Sequence, residues 1–237
     1  MKKLRLKFSK TDYMVYISHL DLMRLFQRIF RRIGIKLKYT EGFNPQPKIA
    51  FATALALGVE SYSEYMDIEL DQDIGIDELR EKLNSNLPEG IKILGIIDRK
   101  DSPAIMSLIE WGIYDIEVEL EKEMERDEIE REIEKFLNQE EIIDIREKKK
   151  KKKIVKREIN IRDLINNIQI KSLEGRKLVL NMFLKTGSNG NLKPEIVLKK
   201  IEEISSLKFI SEFPRIYRRE LLIEDDGVLK TPIKSIE

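Results

Sequence analysis

The 237-residue chain contains no cysteine, one histidine (His19) and one tryptophan. Without a thiolate it can form no disulfide, offer no thiol nucleophile and ligate neither a zinc ribbon nor an ordinary iron–sulfur cluster. A lone histidine removes most of the remaining protein-built metal sites. Magnesium would need grouped carboxylates, and the acidic residues here follow the helical and alternating patterns of solvated faces, so no metal is expected. The 11 glycines form no nucleotide fingerprint, which leaves cofactor binding without a motif. No apolar run nears the roughly 20 residues that span a bilayer. The opening "MKKLRLKFSK" alternates charge with apolar residues and does not read as a signal peptide, so a cytoplasmic location is expected. Charge of neither sign predominates: 44 Lys and Arg against 43 Asp and Glu give a formal net charge of +1. Attraction to nucleic acid would therefore have to come from a local patch.

What is present is a chain 41% hydrophobic and 37% charged whose apolar positions recur with clear periods. "LRLKF" (4–8) alternates as a strand, 18–33 winds as an amphipathic helix, "KIAFATAL" (48–55) reads as a buried strand and "EYMDIEL" (64–70) alternates again. A helix over 75–88 stops at Pro88 and Gly90, and "IKILGIID" (91–98) follows as a strand. The order βαββαβ is that of a ferredoxin-like unit, one sheet face under two helices and the other free. Beyond Pro103 the pattern restarts: strand 114–120, charged helix 124–139, a hairpin of "IIDIRE" and "IVKREINI" across a lysine run, a turn-like "RDLINNI" (162–168), strand 177–184, helix 193–205 and strand 215–223. The expected fold is α+β, with two tandem ferredoxin-like (βαββαβ) units, antiparallel sheets and helices on one face. The first domain spans 1–100, and the second spans 110–237 and carries the lysine-rich hairpin. The run Lys148 to Lys153 reads either as a solvated hairpin tip that resists edge pairing or as a phosphate-contacting finger.

Two stretches carry the functional argument. In "YISHLDLMRLFQRIFRRIG" (16–34), Ser18 followed by Asp21 fits a capping box with Asp in the place of Glu, which makes His19 the first helical residue. At about 100° per residue, Leu22, Phe26, Ile29, Phe30 and Ile33 share one face. Arg24, Arg28, Arg31 and Arg32 gather on the opposite one, with Asp21 as the nearby counter-charge. Guanidinium groups suit phosphate or carboxylate, so this face reads as a site for a nucleic acid or for an acidic protein. His19 projects toward the apolar side, where histidine is commonly a packed residue; a helix N-terminus also suits anion contact or acid–base chemistry, which keeps it as a weak catalytic candidate. In "YTEGFNPQPKIAF" (39–51), Gly42 permits a tight turn, and Pro45 and Pro47 push Asn44 and Gln46 toward extended backbone. Phe43, Asn44, Gln46 and Lys48 then form a stiff loop with an aromatic ring, two amides and a cation. That mixture reads unstacked bases, or else serves as a connector with Phe43 tucked into the core.

Together these stretches, continued through "ATALALGVESYSEYMDIEL", resemble the radical SAM-linked family also known as domain of unknown function 2344. The later "TGSNGNLKPEIVL" and "RIYRREL" look like its C-terminal landmarks. The resemblance implies an accessory role: members occur beside, or fused to, a radical SAM enzyme and are not known to be enzymes themselves. Its signature positions here would be Tyr16, Ser18, His19, Asp21, Arg24, Gly42, Phe43, Asn44, Pro45, Pro47 and Lys48. Where the family commonly has Asn-Pro-His-Pro, this chain has Gln46, so proton transfer or metal binding at that position is not expected. Lacking cysteine, the chain cannot hold the cluster that radical SAM chemistry needs, and catalysis is expected in the partner. The expected function is a non-catalytic accessory protein that presents an RNA to that enzyme. The alternatives are a protein-only scaffold, or a metal-independent RNA endonuclease resembling CRISPR RNA-processing enzymes, whose glycine-rich loop is faintly echoed by "TGSNG" (186–190).

Overall fold

The computed structural model describes residues 2–150, 153–210 and 213–233. It is a mixed α/β chain in two compact units, Met1–Trp111 with Tyr217–Glu237, and Gly112–Ile216. The closing segment, expected in the second domain, thus groups with the first.

In the first unit, β1 (Lys2–Lys10) leads through a 3-10 turn (Asp12–Tyr16) to α1 (His19–Arg32); β2 (Ile49–Phe51), β3 (Glu60–Leu70), α2 (Ile76–Asn84), β4 (Ile91–Asp98) and the short α3 (Ile105–Leu108) follow. Strand β1 pairs antiparallel with β3 on one side (Leu6↔Met66) and with β4 on the other (Leu6↔Ile96), and β2 pairs antiparallel with the far edge of β3 (Phe51↔Met66). Farther along that edge β3 runs parallel to β10 (Arg215–Asp225), through Tyr217↔Glu60 and Arg218↔Ser61. Alternation explains the core. Leu4, Leu6 and Phe8 of β1 and Met66, Ile68 and Leu70 of β3 point to one face, where Leu22, Phe26, Ile29 and Phe30 of α1 and Leu79 and Leu83 of α2 cover them.

The other face is not left free as expected. Tyr65 is buried there with Ile105, Ile109, Leu221 and Ile233, so α3 and the chain's closing segment cover it. The expected strand 48–55 ends at Phe51, since Ala54, Ala56, Leu57 and Gly58 turn outward to solvent.

The second unit contains most of β5 (Ile109–Glu119), then α4 (Arg126–Leu137), β6 (Ile143–Lys150), β7 (Lys153–Asn160), β8 (Ile165–Glu174), β9 (Lys177–Lys185) and α5 (Pro194–Ile204). Its sheet order is β5-β9-β8, while β6 and β7 form a separate two-stranded hairpin. The stretch read as turn-like at 162–168 becomes a short 3-10 turn followed by strand β8. Strand β11 (Val228–Lys230) closes on β10 in the first unit.

Exposed strand edges invite association, and here side chains occupy them. The Asn84 amide donates to the Ile93 carbonyl (3.1 Å) and accepts from its N–H (2.8 Å), mimicking a neighbouring strand on β4. On β8 the carbonyls of Ile165 and Ile170 accept from Arg162 (2.9 Å) and Arg126 (3.0 Å).

Candidate nucleic-acid interface

Helix α1 begins as its sequence dictates. Ser18 is the N-cap: its Oγ accepts from the Asp21 N–H at 3.1 Å, and its hydroxyl lies 2.6 Å from Asp21 Oδ2. That hydroxyl bond holds the Asp21 carboxyl below its ordinary range, with Arg24 adding to the effect. Leu22, Phe26, Ile29 and Phe30 fix the helix on the sheet, so Arg24, Arg28, Arg31 and Arg32 all face solvent. Arg24 spends part of its charge on Asp21 at 3.3 Å. Arg28, Arg31 and Arg32 form no ion pair among the described residues, which makes them the uncompensated part of this face.

The second stretch forms a small hairpin. Tyr39 bridges Pro47, the Thr40 N–H donates to the Gln46 carbonyl (2.8 Å), and the Gln46 N–H donates to Thr40 Oγ1 (2.9 Å). Gly42 adopts φ +118°, a backbone state open to glycine and strained for other residues. At the tip Phe43 is fully exposed, so the alternative with its ring in the core does not hold. Asn44 and Gln46 are exposed and bonded to each other (Nε2 to Oδ1, 3.2 Å), which orients one amide by the other.

Lys48 is already engaged within the fold. It donates to Glu69 Oε2 at 3.0 Å, and the backbone on either side is tied down, with the Lys48 N–H on the Lys38 carbonyl and the Glu69 N–H on the Lys48 carbonyl. Its charge is thus already matched by a carboxylate, and the pair helps fasten the hairpin to β3. Pro45 and Pro47 frame the tip, while Tyr16 stands exposed just before the Ser18 cap.

His19 is solvent-exposed, with its ring edge-on to Phe51 at 5.1 Å between centroids. Phe51 in turn packs on Phe8 and Phe26, so the imidazole extends an aromatic cluster. Of the lysine run, the backbone of Lys148 to Lys150 and of Lys153 belongs to the β6–β7 hairpin; Lys151 and Lys152 lie outside the described residues. No group of three or more His, Asp or Glu side chains among the described residues could hold a metal ion. None of the described helices is long and apolar enough to cross a membrane.

Two buried polar networks escaped the sequence reading. At one end of the sheet, Lys10, Ser61 and Arg218 sit side by side on three adjacent strands. Glu64 Oε1 accepts from Ser61 Oγ (2.6 Å) and from Arg218 Nη1 (2.9 Å), and the same nitrogen lies 3.0 Å from Thr53 Oγ1. Lys10 donates to the Ile17 carbonyl at 3.0 Å, and its burial lowers the ammonium pKa against the opposing pull of Glu64. In the second network Asp67 takes Arg5 Nε (2.8 Å) and the Ile105 N–H (2.9 Å), with Arg99 beside it. Both networks join strands to distant segments and are shut off from solvent, which makes them structural.

The first unit therefore presents an arginine-bearing helix face followed in the chain by a braced hairpin with an aromatic tip, on an α/β scaffold. The chain belongs to the family described as an uncharacterized protein conserved in bacteria (DUF2344), whose model matches residues 3–194. No curated protein matches it. Among solved structures, a chain of a Cbf5-Nop10-Gar1 complex resembles it with a TM-score of 0.51 at 11% identity, over 94% of this chain and 50% of that one. A chain of an archaeal box H/ACA sRNP Nop10-Cbf5 complex gives 0.48 at 11% identity, over 91% and 46%. The protein thus spans about half the length of these solved chains, and the likeness to the first is one of fold.

Proposed function

We propose that this protein is a non-catalytic RNA-binding accessory, which holds an RNA on the outer face of α1 and at the Phe43 hairpin. A radical SAM enzyme would act on that RNA. The observation that carries the reading is that one unit exposes both Arg28, Arg31 and Arg32, without ion pairs among the described residues, and a phenylalanine at the tip of a braced loop. Guanidinium groups contact phosphates, and an exposed ring offers a face to an unstacked base. Stacking gives affinity without strict sequence preference, so choice of substrate would come from the amides of Asn44 and Gln46 or from the partner. The partner follows from the family resemblance, and its enzymatic role from the lack of any cysteine in this chain.

The test is fluorescence anisotropy of the purified chain with labelled single-stranded RNA, alone and with a co-purified partner. Arg24→Glu/Arg28→Glu is expected to weaken binding while leaving the unfolding midpoint nearly unchanged, because exposed substitutions usually cost little stability. Unchanged affinity removes the helix face from the account. Binding to a partner protein with none to RNA replaces it with the protein-only scaffold.

A further inference from the structure

Tyr16, singled out in the sequence, has no part in the surface described so far. It lies at 72% exposure two residues before the Ser18 cap, and Tyr13, in the same 3-10 turn, is at 85%. This turn is held in place. The Thr11 N–H donates to the Gly90 carbonyl (2.8 Å), Lys10 Nζ to the Ile17 carbonyl (3.0 Å) and the Gly58 N–H to the Val15 carbonyl (3.1 Å). Two large rings are thus displayed on fixed backbone at the end where α1 begins.

At the other end the chain leaves α1 by a short path. The Ile35 N–H returns to the Phe30 carbonyl (2.9 Å), the Lys36 N–H donates to the Gln72 side chain (3.0 Å) and the Lys38 N–H to the Glu69 carbonyl (2.8 Å), after which the hairpin with Phe43 at its tip opens. In chain order Arg28, Arg31 and Arg32 lie between these two aromatic groups, on the last five residues of the helix. A 14-residue helix is about 21 Å long, and a stacked single strand at about 3.4 Å per nucleotide needs about six nucleotides to cover the helix alone, a lower bound for a strand that reaches the rings beyond both of its ends.

We infer that α1 is the floor of a single-strand track that runs from the Tyr13–Tyr16 turn to Phe43, with a base stacked at each end and the intervening phosphates on Arg28, Arg31 and Arg32. This rests on the RNA-binding reading and adds to it the strand state, the length of the footprint and a second aromatic anchor. A duplex keeps its bases stacked on one another and gains nothing from the terminal rings, so the track selects unpaired RNA.

Anisotropy with 5′-labelled oligoadenylates of 3, 6, 9 and 12 nucleotides, and with a 12-base-pair RNA duplex, tests this on the full chain. Affinity is expected to rise steeply from 3 nucleotides through at least about 6 and to level by 12, with the duplex at least tenfold weaker than the 12-mer. Tyr13→Ala/Tyr16→Ala and Phe43→Ala are each expected to weaken the 9-mer about tenfold. All three residues are exposed, so circular dichroism of the variants should match the parent. Equal affinity for duplex and single strand, or wild-type affinity in the tyrosine variant, overturns the track and leaves the arginine surface standing. Absence of binding to every oligonucleotide overturns both.

Discussion

Glu64 and Arg218 stand 154 residues apart in the chain and meet at 2.9 Å, each side chain only 5% exposed. The pair links the start of β3 to β10; Ser61 donates to the Glu64 carboxylate, and Thr53 Oγ1 lies beside the Arg218 guanidinium. Removing one partner of such a pair leaves the other charge buried without it. Glu64→Ala is therefore expected to lower unfolding stability by about 3–5 kcal/mol, as read by urea denaturation. A loss below about 1 kcal/mol would show that the pair is not needed to hold β10 in place.

The Ser18 cap makes a smaller and separable prediction. Ser18→Ala removes the acceptor for the Asp21 N–H and should cost about 1 kcal/mol of stability. The same change removes the hydroxyl that holds the Asp21 carboxyl low, so its pKa should return toward the ordinary carboxylate range, as followed by NMR titration. The sign follows from linkage: a depressed carboxyl pKa contributes stability above its unfolded value, and that contribution is lost as pH falls through the folded value. The stability gap between parent and variant should accordingly narrow in acid. A gap independent of pH contradicts the assigned bond.

Lys48 separates fastening from binding. Because its ammonium is matched by Glu69, Lys48→Met should loosen the hairpin and lower stability while leaving the salt dependence of RNA binding as it was. A reduced salt slope in this variant would return Lys48 to the binding surface.

His19 offers the decisive check on an endonuclease. Its ring packs on Phe51, and among the described residues no hydrogen bond joins it to a nucleophile. Cellular RNA incubated with the protein in EDTA is expected to stay intact. Cleavage products that vanish in His19→Ala would overturn this.

Local signals in the sequence were strong where one element decides its own geometry. The 3.6-residue apolar stripe and the Ser18–Asp21 pair located α1 to within a residue at each end, and the period-two run of "LRLKF" located β1. Strand β8 was hidden because its pairing with β9 is bulged between Ile165 and Asn167 and between Ile170 and Ser172. Its buried residues Ile165, Ile168 and Ile170 therefore fall at mixed spacing instead of strict alternation. The roles of Lys48, Lys10 and Glu64 were illegible for another reason: their partners are set by strand register across the sheet, and no local pattern encodes them. Exposure of Phe43 depended on the Tyr39–Pro47 bridge, which only the folded hairpin reveals.

The central claim is that uncompensated arginines on α1 hold RNA phosphates, and the most direct measurement is the salt dependence of single-stranded RNA affinity. Each neutralised phosphate of a single strand contributes about −0.7 to the slope of log affinity against log salt, so contacts from Arg28, Arg31 and Arg32 predict a slope near −2. Arg28→Gln/Arg31→Gln should bring it to about −0.7. A slope near zero in the parent, or one the double variant leaves unchanged, contradicts the account.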